Sequence, residues 1–302
     1  MKKTTTALIS SLLVCTGCTS AQTNDDIYTY RIPTNAIRIG PGGTPFRHQT
    51  FCNYFLEGAP KTRENLIARD TYLFETNLIQ RELFKDGKKY GVQREWYPNG
   101  QLKSEAPYRN GIMGGTFKHW DEAGRLVGQY QMIKGTGVVK IYGSNGVLIR
   151  EKEYKQGKDE GLSMVLDPKD GIRSLVWYKD NMEVGKAYSF YPDDKLRGVT
   201  CCSPVSNPTL AESMIDGPSV DFNPDGSLSK VEWYIHRQKV SVSEYAEAAK
   251  KDPSLPPYYE DATQYTNLVT DEVKNLLKKY RNMPRVKIPL EFGKNGEPVA
   301  EP

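Results

Sequence analysis

The side chains able to do chemistry are few and scattered. Three histidines stand at His48, His119 and His236, and five cysteines at Cys15, Cys18, Cys52, Cys201 and Cys202. Nucleophilic catalysis needs a Ser or Cys, a His and a carboxylate converging in space. Neither a Gly-x-Ser-x-Gly elbow nor a His-Glu-x-x-His helix occurs. His48 and Cys52 form the one close Cys/His pair, and a four-residue offset alone builds no site. A zinc site wants a fourth ligand at suitable spacing, and the chain offers none. The acidic pairs Asp25-Asp26 and Asp193-Asp194 fall in polar linker or turn sequence, where carboxylates are normally solvated. Ile39-Gly40-Pro41-Gly42-Gly43 lacks the Gly-Lys-Ser/Thr ending of a phosphate loop and reads as a bend. The expectation is a protein without catalytic site, metal or cofactor.

One cysteine has a different chemistry in prospect. Residues 1–17 open with Lys2 and Lys3, continue through the apolar run Ala7–Val14, and close on Cys15-Thr16-Gly17. The run is too short for a permanent span and reads as a signal peptide. Gly17-Cys18 resembles the bacterial lipobox, where a small residue precedes a cysteine that is acylated and becomes the new first residue. Cys15 departs from the Leu usual there, and an ordinary cleavage near Ala21 is the alternative. The resemblance implies a lipid anchor on Cys18, with residues 18–26 as a polar tether. Each buried CH₂ of an acyl chain contributes about 0.8 kcal/mol, so two or three chains hold firmly. Thr19 is not the Asp that commonly retains such proteins in an inner membrane. The expected location is the cell envelope, with an outer membrane facing the periplasm favoured over an inner one. Outside the cytoplasm, either Cys52 bonds one of Cys201 and Cys202 or the thiols are simply buried.

Composition bounds the rest. Hydrophobic residues make up 38%, charged residues 26% and aromatics 11%, with 19 Tyr, which favours β-structure over disorder. The net charge is only +4, and Lys2 and Lys3 of the leader contribute to it. Lys278-Lys279-Tyr280-Arg281 reads as the positive end of a helix, so nucleic acid is not an expected partner.

The elements that would position any surface are repeats. Turn glycines recur about every two dozen residues at Gly100, Gly124, Gly146, Gly171 and Gly226, with a degenerate copy at Pro192-Asp193-Asp194-Lys195. Four positions before the glycine stand Trp96, Trp120, Tyr142 and Phe222, with Tyr191 in the degenerate copy. Two positions after it stand Leu102, Leu126, Leu148 and Leu228, and eight after it Tyr108, Met132, Tyr154 and Tyr234. Nine before it stand Gly91, Gly115, Gly137 and Gly217. The copy at Gly171 is the loosest. Pro, Asn or Asp and Gly in succession close a hairpin. Offsets two and eight differ by an even number, which predicts that those side chains leave one face of a strand and form the repeat core. Three ladder side chains contribute about 1.5–3 kcal/mol each, against about 1–2 kcal/mol of backbone entropy per residue, so each hairpin depends on its neighbours. The predicted fold is mainly β: an elongated antiparallel sheet of stacked hairpins over 84–240.

Asp86–Gly91, Glu95–Leu102 and Arg109–Gly115 with Trp120 resemble the MORN repeat family, in the variant form of YwqK-type proteins. The resemblance covers about half the chain. It implies an antitoxin-like binding role and supplies no catalytic residues.

Residues 27–83 are expected to cap the repeats, with a short helix opening at Thr62 and strand-like sequence over Tyr72–Phe84. Residues 241–302 read as a helical cap and loose tail. A capped helix runs from Ser243 to Lys251, and a second from Thr270 to Arg281 sets Val269, Val273, Leu276, Leu277 and Tyr280 on one face. Covering the last sheet edge is its expected task.

The leading expectation is therefore a membrane-anchored binding protein whose partner is a protein, narrowed by the resemblance to a toxic effector that it neutralises. An envelope scaffold would have the same sequence features. An enzyme acting on envelope polymers would draw on His48, His119 or His236.

Overall fold

The computed structural model describes residues 25–44, 49–74, 76–167, 171–203, 214–258, 264 and 268–281. The leader, Cys18, most of the tether and His48 lie outside the described residues, as do Lys169, Asp170 and residues 282–302.

Antiparallel strands pair in chain order and divide into two sheets. The first contains Ala36–Thr44, Gln49–Leu56, Leu66–Leu73, Asn77–Lys85, Gly91–Trp96, Leu102–Arg109, Gly115–Trp120 and Leu126–Met132, flanked by the two-residue strands Lys88–Lys89 and Ile112–Met113. The second contains Gly137–Tyr142, Leu148–Lys155, Lys158–Asp167, Gly171–Lys179, Met182–Phe190, Leu196–Ser203, Met214–Phe222, Leu228–Ile235 and Gln238–Val240. Among the described residues three α-helices accompany them, α1 (Asp25–Thr29), α2 (Val242–Lys251) and α3 (Asp271–Arg281), with a 3-10 turn at Pro192–Asp194. The stacked-hairpin, mainly β architecture is the one the repeat pattern predicts.

The columns of the repeat meet across the hairpins. Trp96 faces Leu102, Trp120 faces Leu126, Tyr142 faces Leu148 and Phe222 faces Leu228. The early glycine of each copy faces the late aromatic or methionine: Gly91 with Tyr108, Gly115 with Met132, Gly137 with Tyr154, Gly217 with Tyr234. Gly100, Gly124, Gly146 and Gly226 take φ between 77° and 89°, the left-handed region that turn closure requires. Two copies need realignment. Gly171 is the first residue of its strand, opposite Asp167, and Leu166 faces Ile172. In the degenerate copy Asp194 takes the left-handed turn position, Phe190 rather than Tyr191 faces Leu196, and Gly185 faces Cys202.

The expectation that offsets two and eight share a face is wrong, because every copy carries a β-bulge. Glu95 faces Ser104 while Trp96 faces Leu102, which leaves Lys103 as an extra residue. Val127, Ile149, Arg173, Arg197 and Ser229 are extra at the same place. One extra residue reverses the alternation beyond it. Leu228, Val231 and Trp233 accordingly join one core, while Tyr234 leaves the other face and donates to Glu232 Oε2 at 3.1 Å.

Neighbouring hairpins are stitched at both ends. Gly111 N donates to Lys89 O, Gly135 N to Met113 O, Gly157 N to Gly135 O and Asn181 N to Asp159 O, at 2.7–3.0 Å. At the opposite edge Tyr97 Oη donates to Trp120 O and Tyr191 Oη to Phe222 O, at 3.0 and 2.9 Å.

The region before residue 84 is sheet as well. Thr62 opens a turn rather than a helix, and Leu66–Leu73 is a strand whose Ala68 and Asp70 are fully buried. Alternation and β-branched residues outweigh the local cap signal there. The helix α1 rests on strands Gly91–Trp96 and Leu102–Arg109. A Cβ on Gly91 would meet the Tyr30 ring at 3.1 Å, so glycine permits the approach. The C-terminal helices cover a sheet face, not the last edge. Tyr245, Val273 and Tyr280 join Met164, Leu175, Tyr188, Val199, Val220 and Trp233 in one core. The cap of α2 is Ser241, in a capping box with Glu244, instead of Ser243.

Candidate interaction surface

The centre of each hairpin holds one pair of opposed residues, which in the second sheet lies on the face that the helices cover. In chain order the pairs are Asp70–Arg81, Arg94–Glu105, Lys118–Gln129, Lys140–Glu151, Met164–Leu175, Tyr188–Val199 and Val220–Val231. The first four are charged or polar and the last three apolar. The change coincides with the cover: α2 and α3 lie on the apolar pairs, and Tyr280 of α3 donates to Glu151 Oε2 at 2.6 Å at the boundary. Among the described residues no element packs over the earlier pairs beyond α1 at one end. The ring column follows the same rule. Phe190 and Phe222 are 3% exposed, whereas Trp96 and Trp120 are only half-buried. Trp96 lines a shallow cleft of about 390 Å³ with Leu78 and Pro98.

Ion pairs join the first two of these central pairs. The Asp70 carboxylate, fully buried, accepts from Arg81 Nε and Nη2 at 2.7 and 2.6 Å, from Tyr54 Oη at 2.9 Å and from Tyr72 Oη at 3.3 Å. Burial, then the bond to Asp70, pushes the Tyr54 phenol well above its ordinary range. Arg38 stacks over the Tyr72 ring at 5.4 Å. Arg94 Nε donates to Glu105 Oε1 at 2.8 Å. Arg, Tyr and Trp fixed in place by neighbours lose little entropy on binding, which is the composition of interface anchors.

The opposite face of the first sheet carries an aromatic seam toward the second. Phe117 stacks on Tyr130 at 5.1 Å, and His119 lies 5.8 Å from Tyr130 and 5.3 Å from Tyr142. The ring of Tyr142 sits where a Cβ on Gly128 would be, so glycine is required at that crossing. Burial drives the His119 imidazole down to about 4, and its Nε2 is enclosed without a hydrogen-bond partner.

The remaining sequence candidates are dispersed. His236 lies at an exposed turn with Nδ1 3.4 Å from Asp216. Cys52 is in the first sheet and Cys201 and Cys202 in the second, all three as free thiols, so the Cys52 disulfide is not formed. Burial raises both Cys201 and Cys202 to about 11, which keeps them as thiols. Asp194 is not a solvated turn acid: its side chain is 4% exposed and accepts from Arg281 Nε at 2.6 Å. Among the described residues no group of three His, Cys, Asp or Glu is placed to hold a metal ion.

Residues 89–110 and 136–156 match the MORN repeat variant family. Each MORN-variant segment spans one complete hairpin with its bulge, and the same register continues through the copies beyond them. Such repeats suggest a protein- or membrane-binding repeat protein. No curated protein matches the chain.

Proposed function

We propose that this protein is an envelope lipoprotein, acylated on Cys18, that binds and neutralises a toxic effector through the open face of its N-terminal repeats. The observation that carries the binding surface is the switch of the central pairs from charged to apolar where the chain's own helices begin to cover them. Long side chains already paired and half-buried, with Trp96 and Trp120 beside them, suit a protein partner better than bulk solvent alone requires. The immunity role is favoured by the antitoxin-like resemblance of the repeats. Attachment through an acylated Cys18 is favoured by the resemblance of Gly17-Cys18 to a lipobox; no helix among the described residues is long and apolar enough to cross a membrane.

The test uses the mature chain and the secreted protein encoded beside it. Capture of that protein, and sensitisation of cells on deletion of the binder, are expected. Trp96→Ala, Trp120→Ala and Arg94→Glu should each weaken capture by about tenfold or more, with folding unchanged by circular dichroism. Capture that ignores all three substitutions removes the surface assignment. Absence of both capture and sensitisation with every adjacent secreted protein removes the immunity role.

A further inference from the structure

We infer that the sheet edge carrying Ile112 and Ile133 rests in the headgroup layer of an anionic membrane. This orientation rests on the anchored reading of Cys18. Ile133 is 70% exposed and Ile112 47% exposed, far more than any packing role requires. Both sit on adjacent hairpin ends, held side by side by the bond from Gly135 N to Met113 O at 2.7 Å. Between them opens an apolar cleft of about 570 Å³, lined by Ile27, Met113 and Met132 as well.

Three further observations select a lipid surface as the occupant. Lys88, Lys134 and Lys155 are exposed on the same stitched edge: Gly111 N bonds Lys89 O, and Gly157 N bonds Gly135 O. Apolar tips ringed by lysine match an anionic interface, where each cation near the surface adds attraction. The turns of the opposite edge carry Asn99, Glu122, Asn145 and Asp225 together with Arg125 and Lys195, whereas on the stitched edge exposed Lys85, Lys88, Lys134 and Lys155 outnumber Asp86 and Asp180, so the basic excess lies on the stitched edge. Lastly, Ile27 belongs to α1, the first described element, and lies nine residues after Cys18, a reach of at most about 32 Å. An acyl chain on Cys18 would keep this end of α1 within that distance of the bilayer. Only the ends of the hairpins meet lipid, and the open face with Trp96 and Trp120 stands upright for a partner.

Coupling residue 18 of the mature Cys202→Ser chain to a maleimide-bearing phosphatidylethanolamine makes the attachment certain. The result is then independent of whether cells acylate Cys18, which mass spectrometry of the mature terminus decides separately. Vesicles of phosphatidylcholine and phosphatidylglycerol carry the coupled protein, and hydrogen exchange is compared with the uncoupled chain. Amides of 109–114 and 131–136 are expected to exchange about tenfold more slowly on the vesicles, with 121–125 and 143–147 unchanged. The Ile112→Asn, Ile133→Asn double variant, altered only at exposed side chains, should lose that protection while keeping its circular dichroism. Equal exchange with and without vesicles overturns the inference, as does protection of both edges alike. Protection that appears without vesicles as protein concentration rises would assign the patch to a second copy and overturn it as well.

Discussion

Acidification should weaken this fold through His119. Its ring is stacked among Tyr130 and Tyr142, and burial lowers its affinity for a proton to a value of about 4. An imidazole in the unfolded chain titrates near 6.5, so the unfolded state takes up the proton first as pH falls. The stabilisation is therefore complete above about pH 6.5 and is lost as pH drops from there toward 4. The gap corresponds to about 2 kcal/mol lost by pH 5 and about 3 kcal/mol by pH 4. His119→Phe keeps a flat ring in the seam and removes the titration. Urea unfolding of both proteins at pH 7.5 and pH 5 isolates the effect, because every other titrating group is common to both. The wild type should lose about 2 kcal/mol more than the variant over that interval. A difference below about 0.5 kcal/mol would mean that the imidazole is solvated, and the reasoning about the seam would fail.

Other perturbations have separate readouts. Asp70→Ala leaves Arg81 and two phenols without their shared acceptor and should cost about 3 kcal/mol in urea unfolding, the low end for a buried pair because Arg81 is partly exposed. Gly128→Ala should cost about 1–3 kcal/mol by clashing with the Tyr142 ring. Adding Tyr142→Ala should then cost less than the two single changes combined, as a double-mutant cycle will measure. Ser241→Ala should cost about 1 kcal/mol and speed amide exchange in the first turn of α2.

Much of this structure is legible in the residues, and the failures have physical causes. Glycine nine before the turn and Tyr108 or Tyr154 eight after it are matched across the strands because the pairing distance is fixed by the turn. The bulge left no trace in those offsets: one extra residue occurs in every copy, so the spacing repeats while the faces reverse. Counting residues points to Tyr191 where Phe190 in fact faces Leu196, because Asp194, a residue that tolerates positive φ, stands where glycine marks the other turns. The strands before residue 84 lack the turn signature: Thr76 occupies the glycine position and a longer loop precedes Leu66, so their membership in the first sheet is settled by pairing. The switch from Arg94–Glu105 to Met164–Leu175 is written plainly in the chain, yet it has meaning only once the register shows that these residues oppose each other. His119 likewise reads as one more strand residue until the seam encloses it.

The central claim is that the central pairs are covered in the C-terminal repeats and left open in the N-terminal ones, and exchanging those pairs tests it directly. Arg94→Met with Glu105→Leu places the covered pair on the open face, and Met164→Arg with Leu175→Glu does the reverse. Unfolding in urea should show the first exchange within about 1 kcal/mol of wild type, since a partly exposed ion pair contributes little. The second should cost about 4 kcal/mol or more, because Met164 and Leu175 are buried beneath the C-terminal helices. Similar losses from both exchanges, or tolerance of both, would contradict the account.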